Sequence, residues 1–292
     1  MSSSETVVFI LLGQSNAVGH NLPMKEQDKI KIPLNNVFGL KRSLNQSYNI
    51  TKISWDNYIS SEMNLAEEQD DTYSIANCLA HQWQQAIDGG KPLPDLYIVH
   101  IAVGAQGVTK KYMWNPDRKQ KLIPGALGTV DISLHSFTKH ILSMVNNYME
   151  DTNKRPYYLL HWRGGEEDIV APKLELRNSL KDVYEQIFNE YCAAVKHNID
   201  IKLHRIITDN FVMKTDPGGL LENLKYINSV FEELSEKYNN ISILDPREYP
   251  GYSSKIEHNG IFLEDDVHFT SDVNKWIASG IIQKFLLHLL HE

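Results

Sequence analysis

The sequence contains few residues that cross-link a chain or bind metals, and it has fewer basic than acidic side chains. Its 292 residues include 2 cysteines, Cys78 and Cys192, and both fall in segments with helical periodicity. A disulfide framework and a cysteine-based zinc site are therefore not expected, and both thiols are predicted to be small core residues. With 29 basic and 37 acidic side chains and a net charge of -8, the chain is repelled by phosphate backbones. Nucleic acid is not an expected partner.

Long hydrophobic runs are also missing. No window approaches the roughly 18 consecutive apolar residues of a membrane span, so no membrane partner is predicted. Segment 1–6 has no basic region, and the apolar run after it is short. We therefore predict no signal peptide, and the location is expected to be cytoplasmic or is left open. No cluster of ligand side chains predicts a metal, and no motif indicates a cofactor or an oligomeric state.

Apolar runs alternate with helical patterns along the chain. Continuous apolar segments predict buried parallel strands at 5–12, 96–103, 157–162, 201–207 and 241–245. Apolar residues at helical spacing predict helices at 73–87, 131–149, 174–197, 219–238 and 271–290. This alternation is typical of a parallel sheet covered by helices on both faces. We expect an α/β protein: a single three-layer α/β/α sandwich over 1–292, with a flavodoxin-like parallel sheet of about five strands. Segment 20–70 is expected to be an elaborated loop and a candidate wall of the site.

A serine follows the first predicted strand almost at once. The apolar run stops at Gly13, which lets the backbone turn sharply, and Ser15 stands two residues later between Gln14 and Asn16. Open α/β sheets bind ligands at the carboxyl ends of their strands, where this serine is expected. An isolated Gly-x-Ser is more often an ordinary turn, so other motifs must decide whether this serine is a nucleophile.

The segment before the last predicted helix contains a carboxylate and an imidazole, Asp265 and His268. Their spacing lets the carboxylate fold back within one turn and accept a hydrogen bond from Nδ1, which fixes the tautomer. Nε2 can then take a proton from a serine hydroxyl. Such pairs are common on protein surfaces, and the chain has 12 histidines, so the spacing alone does not identify a catalytic pair.

Four short blocks follow one another at the ends of predicted elements. They are Gly13-Gln14-Ser15-Asn16, the glycine-containing loop 104–109, Trp162-Arg163-Gly164-Gly165-Glu166-Glu167-Asp168, and Asp265-Asp266-Val267-His268. In this order they resemble the SGNH (GDSL-like) hydrolase superfamily, and more narrowly its sialate O-acetylesterase-like and acetylxylan-esterase-like carbohydrate esterases. The resemblance spans nearly the whole chain, and the order of the blocks is specific although each block alone is not.

The resemblance implies the SGNH hydrolase fold and a serine esterase that removes O-acetyl or other small acyl groups from an acetylated carbohydrate. Ser15 would be the nucleophile that carries the acyl group. His268 would be the general base and then the general acid, and Asp265 would orient His268.

The resemblance also implies an oxyanion hole, built from the backbone N–H groups of Ser15 and of a glycine in the second block. Between Gly104 and Gly107, the small polar residue and the tryptophan that follow, Thr109 and Trp114, favour Gly107. In the third block the family usually has a glutamine, expected to be a third oxyanion donor. This chain has Gly164 at that position.

Three interpretations of Gly164 are open: Arg163 supplies the missing donor, water fills the gap in a slower enzyme, or hydrolysis is lost and a sugar-binding cleft remains. Gln14 and Asn16 are candidates for positioning the acyl group, although stabilising the turn is their ordinary role. A further alternative keeps the triad and changes the substrate to a lipid or aryl ester. The polar segment 20–70 and the lack of an exposed apolar lid argue against a lipid.

The acidic residues of the third block, Glu166 and Asp168, suggest the paired carboxylates of a glycosidase. No second acid pair at a strand end supports that activity, so we expect them to hydrogen-bond the backbone beneath the site. The aromatic candidates for stacking on a sugar are Trp55, Tyr58, Tyr112 and Trp114, with burial as the alternative for each. His100 and His161 lie in apolar strands and are expected to be buried histidines rather than ligands.

Overall fold

The computed structural model describes residues 4–41, 53–59, 63–66, 72–118, 133–216 and 219–289. The strands are β1 (Ser4–Gly13), β2 (Val37–Leu40), β3 (Trp55–Asn57), β4 (Asp95–Ala102), β5 (Lys154–Arg163), β6 (Ile199–His204) and β7 (Ile241–Leu244). The helices are α1 (Ser15–Val18), α2 (Ile75–Asp88), α3 (Leu134–Asp151), α4 (Lys173–Val195), α5 (Asp209–Thr215), α6 (Gly219–Lys237) and α7 (Ser271–Leu289). None of the described helices combines the length and the apolar composition needed to cross a membrane.

The strands form a 7-stranded sheet in the order β3-β2-β4-β1-β5-β6-β7. Neighbouring strands are parallel except at the edge, where β3 pairs with β2 in the antiparallel sense. The strands that the sequence predicted are β1, β4, β5, β6 and β7, and they follow the flavodoxin-like order 2-1-3-4-5. The expected count of about five strands is corrected to 7.

The additional strands lie within the segment that was expected to be an elaborated loop. β2 has 4 residues and β3 has 3, so neither contains enough residues to show a periodic pattern. Gly39 also interrupts the apolar run of β2, because a Cβ there would lie only 2.6 Å from the Met63 sulfur. Part of this segment, 42–52, 60–62 and 67–70, lies outside the described residues.

Both faces of the sheet are covered by helices. In the central strand β1, alternate side chains point to opposite faces, so Val8 and Val7 belong to different cores. Val8 packs in the core that contains residues of α3, α4 and α6. Val7 packs in the core that contains residues of α2 and α7. β1 is buried on both sides, which explains its continuous apolar sequence.

The end of β1 is in close contact with the end of β5. Gly13 pairs with Arg163 in the parallel register and has a φ of +142°. A Cβ at Gly13 would lie 1.9 Å from the Arg163 carbonyl oxygen, so only glycine fits. The Gln14 N–H donates to the same oxygen at 3.0 Å. The chain therefore turns out of β1 against the end of β5.

Two histidines on neighbouring strands form a buried pair. His161 of β5 and His204 of β6 are buried, and their Nδ1 and Nε2 atoms are hydrogen-bonded at 2.9 Å. Burial lowers the pKa of His161 to about 3 and holds the pKa of His204 well below its usual value. His100 is also buried, and its Nε2 donates to the Ala17 carbonyl oxygen at 2.9 Å.

The buried pair predicts a loss of stability in acid. The unfolded chain binds a proton at each imidazole near the ordinary pKa of about 6.5, whereas the folded protein does so only at much lower pH. The stability that the neutral pair contributes is therefore fully present above about pH 6.5. It is lost as the pH falls toward the folded pKa of about 3 for His161. In the double variant His161→Asn/His204→Gln the amides imitate Nδ1 and Nε2 but do not titrate, so its free energy of unfolding should fall less between about pH 7 and about pH 4.

Urea denaturation at each pH measures this difference in acid sensitivity. His140→Gln removes an exposed histidine from α3 and should keep the acid sensitivity of the wild type. Equal losses of stability in the double variant and the wild type would contradict the assignment of a buried neutral pair.

Candidate active site

A cavity of about 550 Å³ lies at the carboxyl ends of β1, β4 and β5. Ser15, at the start of α1, and His268, from the loop before α7, both line it although they lie at opposite ends of the chain. The polar side of the cavity also includes Gln14, His20 and Glu166. The structure thus brings the first and last sequence blocks to one cavity, at the edge of the sheet where the sequence predicted a site.

The loop before α7 holds the imidazole of His268 in a fixed orientation. His268 Nδ1 lies 2.7 Å from Asp265 Oδ2, and Oδ1 accepts from the backbone N–H groups of Val267 at 2.9 Å and His268 at 2.8 Å. Asn21 Nδ2 also donates to Asp265 Oδ2, at 3.0 Å. Burial alone would raise the pKa of the Asp265 carboxyl, but these hydrogen bonds hold it well below its usual range. Asp265 is therefore ionised when it faces the imidazole.

The other ring nitrogen of His268 faces away from this carboxylate. Nε2 is buried and has no hydrogen-bond partner among the described residues, so no bond joins it to Ser15 Oγ in this structure. The ring of His20 lies 6.1 Å from that of His268, centroid to centroid. His20 and Asn21 were not predicted from the sequence as site residues. The signal that could have indicated them is their position, just after α1 and within a few residues of Ser15.

Asn16 connects the turn after β1 to the loop that carries His268. Its Oδ1 accepts from the Phe269 N–H at 2.9 Å, and its Nδ2 donates to the Val267 carbonyl at 2.9 Å. Nδ2 also lies 3.4 Å from Glu166 Oε1. Asn16 is buried and does not line the cavity. The prediction that Asn16 contacts a substrate is corrected, because its amide is occupied in joining three loops.

Arg163 is also withdrawn from the cavity. It is 0% exposed, forms an ion pair with Glu166, and its guanidinium lies 4.3 Å from the centroid of the Phe269 ring. Burial lowers the pKa of this guanidinium, and the Glu166 carboxylate opposes that effect. The prediction that Arg163 binds substrate or replaces the missing oxyanion donor is therefore corrected.

The second block rests on the buried carboxylate of Asp168. Its oxygens accept from the Val108 N–H at 3.0 Å and the Thr109 N–H at 2.9 Å. Burial raises the pKa of Asp168 to about 6, although these backbone hydrogen bonds oppose the rise. A Cβ at Gly107 would lie 2.3 Å from Asp168 Oδ1, which explains glycine at this position. Asp168 thus hydrogen-bonds the backbone under the site, as its expected structural role requires.

The cavity distinguishes the two candidate oxyanion glycines. Gly104 lines it, whereas Gly107 is buried and does not. A Cβ at Gly104 would lie 2.5 Å from Cε1 of His20, so the second block passes close to that ring. The preference for Gly107 is corrected, because Gly107 packs against Asp168 beneath the site.

The aromatic candidates for sugar stacking do not line the cavity. Trp114 is 0% exposed, and its indole N–H donates to the Gly13 carbonyl at 3.2 Å. Tyr58 is fully buried, the Tyr112 hydroxyl donates to Glu167, and Trp55 packs edge-on against Tyr97. The prediction that Trp114 binds substrate is corrected, since its indole N–H satisfies the last carbonyl of β1.

The remaining wall of the cavity is apolar. Its residues come from the ends of β4 and β5, from α5 and from α6, and they are Val103, Ile169, Val170, Phe211, Val212 and Leu220. Val170 and Phe211 are 52% and 43% exposed. Both belong to a wall of the cavity, and the expected lack of an exposed apolar lid stays a prediction. In the described part of the chain, no group of three or more His, Cys, Asp or Glu residues is arranged to hold a metal.

The solved structure of NanS has a similar fold, with a TM-score of 0.61 and 13% sequence identity over 100% of this chain and 99% of NanS. A carbohydrate esterase family 2 enzyme with a carbohydrate binding domain, from Corynascus thermopiles (Myceliophthora fergusii), gives a TM-score of 0.42 and 12% identity over 100% of this chain and 68% of that one. A variant of Axe2, an acetyl xylan esterase from Geobacillus stearothermophilus, gives a TM-score of 0.42 and 10% identity over 97% of this chain and 95% of that one.

No protein-family model matches the sequence, and no curated protein matches it. The fold that this chain shares with NanS agrees with the α/β sandwich predicted from the sequence. At this identity the likeness to NanS shows a shared fold, and the two likenesses with a TM-score of 0.42 are too weak to support an argument.

The role of Asp168 predicts a large loss of stability in Asp168→Ala. The variant leaves the buried N–H groups of Val108 and Thr109 without an acceptor, at a cost of about 1–3 kcal/mol each. We expect the free energy of unfolding, measured by urea denaturation, to fall by about 2–6 kcal/mol. Asp168→Asn keeps an acceptor oxygen and should lose less.

Glu175→Ala is the matched control. Glu175 Oε1 accepts from the Lys110 N–H at 2.9 Å, so it caps the same loop, but from an exposed position. The free energy of unfolding should fall by less than about 1 kcal/mol in Glu175→Ala, because water can replace the carboxylate. Similar losses in the Asp168 and Glu175 variants would show that Asp168 does not hold the loop.

Proposed function

We propose that the protein is a serine esterase that removes O-acetyl groups from a carbohydrate through an acyl-enzyme on Ser15. One observation carries the proposal: Ser15 shares a cavity with an imidazole that is oriented by an ionised carboxylate. Nε2 of that imidazole has no hydrogen-bond partner in the described chain, so no other group of that chain engages it. A serine and a histidine held in this way are the components of nucleophilic acyl transfer.

In the first half of the reaction, Ser15 Oγ attacks the carbonyl carbon of the ester while His268 Nε2 takes the hydroxyl proton. Asp265 keeps Nδ1 protonated and stabilises the imidazolium. The tetrahedral intermediate then expels the alcohol, which leaves with the proton from Nε2. Water attacks the acyl-serine by the same route and releases acetate. The Ser15–His268 hydrogen bond would tighten on substrate binding, as catalytic hydrogen bonds often do.

The oxyanion hole is proposed to include the backbone N–H groups of Ser15 and Gly104. The Ser15 N–H lies in the first turn of α1, where backbone donors have no acceptor within the helix. Gly104 is the glycine of the second block that lines the cavity. Donors placed here would act on charge that develops only in the transition state.

Gln14 is proposed to supply the side-chain amide that Gly164 lacks. Gln14 is buried, lines the cavity, and accepts from the Glu167 N–H at 3.3 Å through Oε1. Since this bond engages the carbonyl end of the amide, the NH₂ end is the donor that the side chain offers. Gly164 lies close to the backbone of Gln14: a Cβ at Gly164 would be 3.7 Å from the Gln14 backbone nitrogen.

An acetylated carbohydrate is supported as the substrate by the four sequence blocks and by the acceptors beside the cavity. Glu167 lines the cavity and accepts from the Tyr112 hydroxyl through Oε1, so its second oxygen, Oε2, is the acceptor proposed for a sugar hydroxyl. The cavity volume of about 550 Å³ lies within the usual range for small-molecule sites. The net charge of -8 makes nucleic acid a poor alternative partner.

Ser15→Ala should abolish acetate release from simple acetyl esters and from acetylated sugars, because the variant has no hydroxyl to acylate. The expected loss in kcat is at least about 10³-fold. The wild type should also be labelled covalently by a fluorophosphonate, whereas Ser15→Ala should not. Ser179→Ala, which removes a hydroxyl bonded to the α4 backbone, should match the wild type in both assays. Failure of the wild type to react with the fluorophosphonate would favour the alternative of a silent sugar-binding cleft.

Gln14→Met should lower kcat by about 10²-fold with little change in KM, because it removes a donor that acts mainly in the transition state. Adding Gly164→Gln should restore part of this loss. A Cβ at Gly164 would lie 3.5 Å from its nearest neighbours, so the substitution is tolerated sterically. Gly164→Ala offers no amide and is the control for the added bulk. If the glutamine and alanine substitutions at 164 affect Gln14→Met equally, the assignment of Gln14 as the donor is wrong.

A further inference from the structure

The cavity has two chemically different sides. The proposed chemistry uses the polar side, formed by Gln14, Ser15, His20 and His268. The other side is mostly apolar and includes Val103, Ile169, Val170, Phe211, Val212 and Leu220, here called the apolar wall. Thr208 also lines the cavity and offers a single hydroxyl. A sugar ring with several hydroxyl groups finds few hydrogen-bond partners on such a wall, so the apolar wall suits another part of the substrate.

The apolar wall is not simply the edge of the core. Val170 is 52% exposed and Phe211 is 43% exposed. Exposing this much apolar surface beside a cavity is unfavourable in water and is typical of a binding site.

The cavity is also larger than an acetyl group requires. An acetyl group has three heavy atoms and fills on the order of 100 Å³, taking about 30 Å³ for each group the size of a water molecule. The cavity measures about 550 Å³. Most of its volume is therefore available to the alcohol part of the ester.

The proposed mechanism determines on which side of the ester the apolar wall lies. The departing alcohol takes its proton from His268 Nε2, so the alcohol part must lie next to that imidazole. α5 carries Phe211 and Val212, and it is fastened to the His268 loop by the ion pair of Lys214 with Asp266. The apolar wall therefore lies on the leaving-group side.

Resting on the proposed function, we propose that the apolar wall binds an apolar aglycone, so that the substrate is an acetylated glycoside with an apolar group attached to its sugar. The sugar hydroxyls face the polar side, and the aglycone packs on Phe211, Val212 and Val170. Binding the aglycone removes apolar surface of both partners from water, which stabilises the complex.

The experiment compares acetate release from O-acetylated phenyl and methyl β-glucopyranosides. For the wild type, kcat/KM should be roughly 10- to 100-fold higher for the phenyl glycoside. Phe211→Asn should reduce this ratio toward one. Met213→Asn changes a side chain of the same helix that does not line the cavity, and it should keep the wild-type ratio.

Equal rates for the two glycosides in the wild type would overturn the aglycone subsite and leave the esterase activity intact. A p-nitrophenyl ester series locates the apolar group: a preference for hexanoate over acetate that disappears in Phe211→Asn would place the wall on the acyl side and overturn the assignment.

If neither glycoside is hydrolysed, the proposed function fails and binding tests the subsite separately. Calorimetric titration of Ser15→Ala with the same glycosides should show tighter binding of the phenyl compound, lost on adding Phe211→Asn. Equal binding of both glycosides, or binding of neither, would overturn the aglycone subsite.

Discussion

The side-chain amide of Asn16 holds together the two ends of the chain at the candidate site. Its oxygen accepts from Phe269 and its nitrogen donates to Val267, partners that lie more than 250 positions away in the sequence. Asn16 is buried, and a buried donor or acceptor left unpaired costs about 1–3 kcal/mol. The geometry between Ser15 and His268 therefore depends on a residue that does not line the cavity.

The geometry of the candidate site also depends on the loop after β5. Glu166 faces Asn16 and pairs with Arg163, while Asp168 accepts the backbone N–H groups that shape the second block. Most polar residues of the four blocks thus act by fixing loops against one another. Three buried atoms of this network, Arg163 Nε, Arg163 Nη2 and Glu166 Oε2, have no hydrogen-bond partner in the described chain. The bonds that do form hold the loops against one another, as an oriented imidazole requires. Within the four blocks, the residues that line the cavity itself include Gln14, Ser15, Gly104, Glu166 and His268.

The parts of the structure that could be predicted from the sequence are those encoded by long local patterns. β1, β4 and β5 are continuous apolar runs, and their pattern predicted both the strands and the sheet edge at which they end. The spacing of Asp265 and His268 is also local, so one turn of chain suffices to bring them together. β2 and β3 were missed because 4 and 3 residues carry no periodicity.

Residues whose role depends on which way a loop faces could not be predicted. Trp114 and Gly107 match the family pattern, and Arg163 adjoins the position of the missing glutamine, yet each is turned inward. Arg163 faces Glu166, Trp114 the end of β1, and Gly107 Asp168. The apolar wall was not predicted either, because its position also depends on how distant segments pack. α5 has 7 residues, too few for a clear amphipathic pattern, and its place beside the cavity arises from contacts with distant segments.

Gly164, which stands where the family usually has a glutamine, has only a local effect on the structure. The Cβ position there has only ordinary contacts, 3.5 Å from Gly13 Cα and 3.5 Å from the Trp162 indole nitrogen. That nitrogen is buried and lacks an acceptor within the described chain, so a polar side chain at 164 would have a partner. An oxyanion donor needs only to reach the place where charge develops, whichever strand carries it. Gln14 follows β1 and Gly164 follows β5, and the contact between Gly13 and Arg163 brings these strand ends side by side. A side chain from either strand can therefore serve the same oxygen.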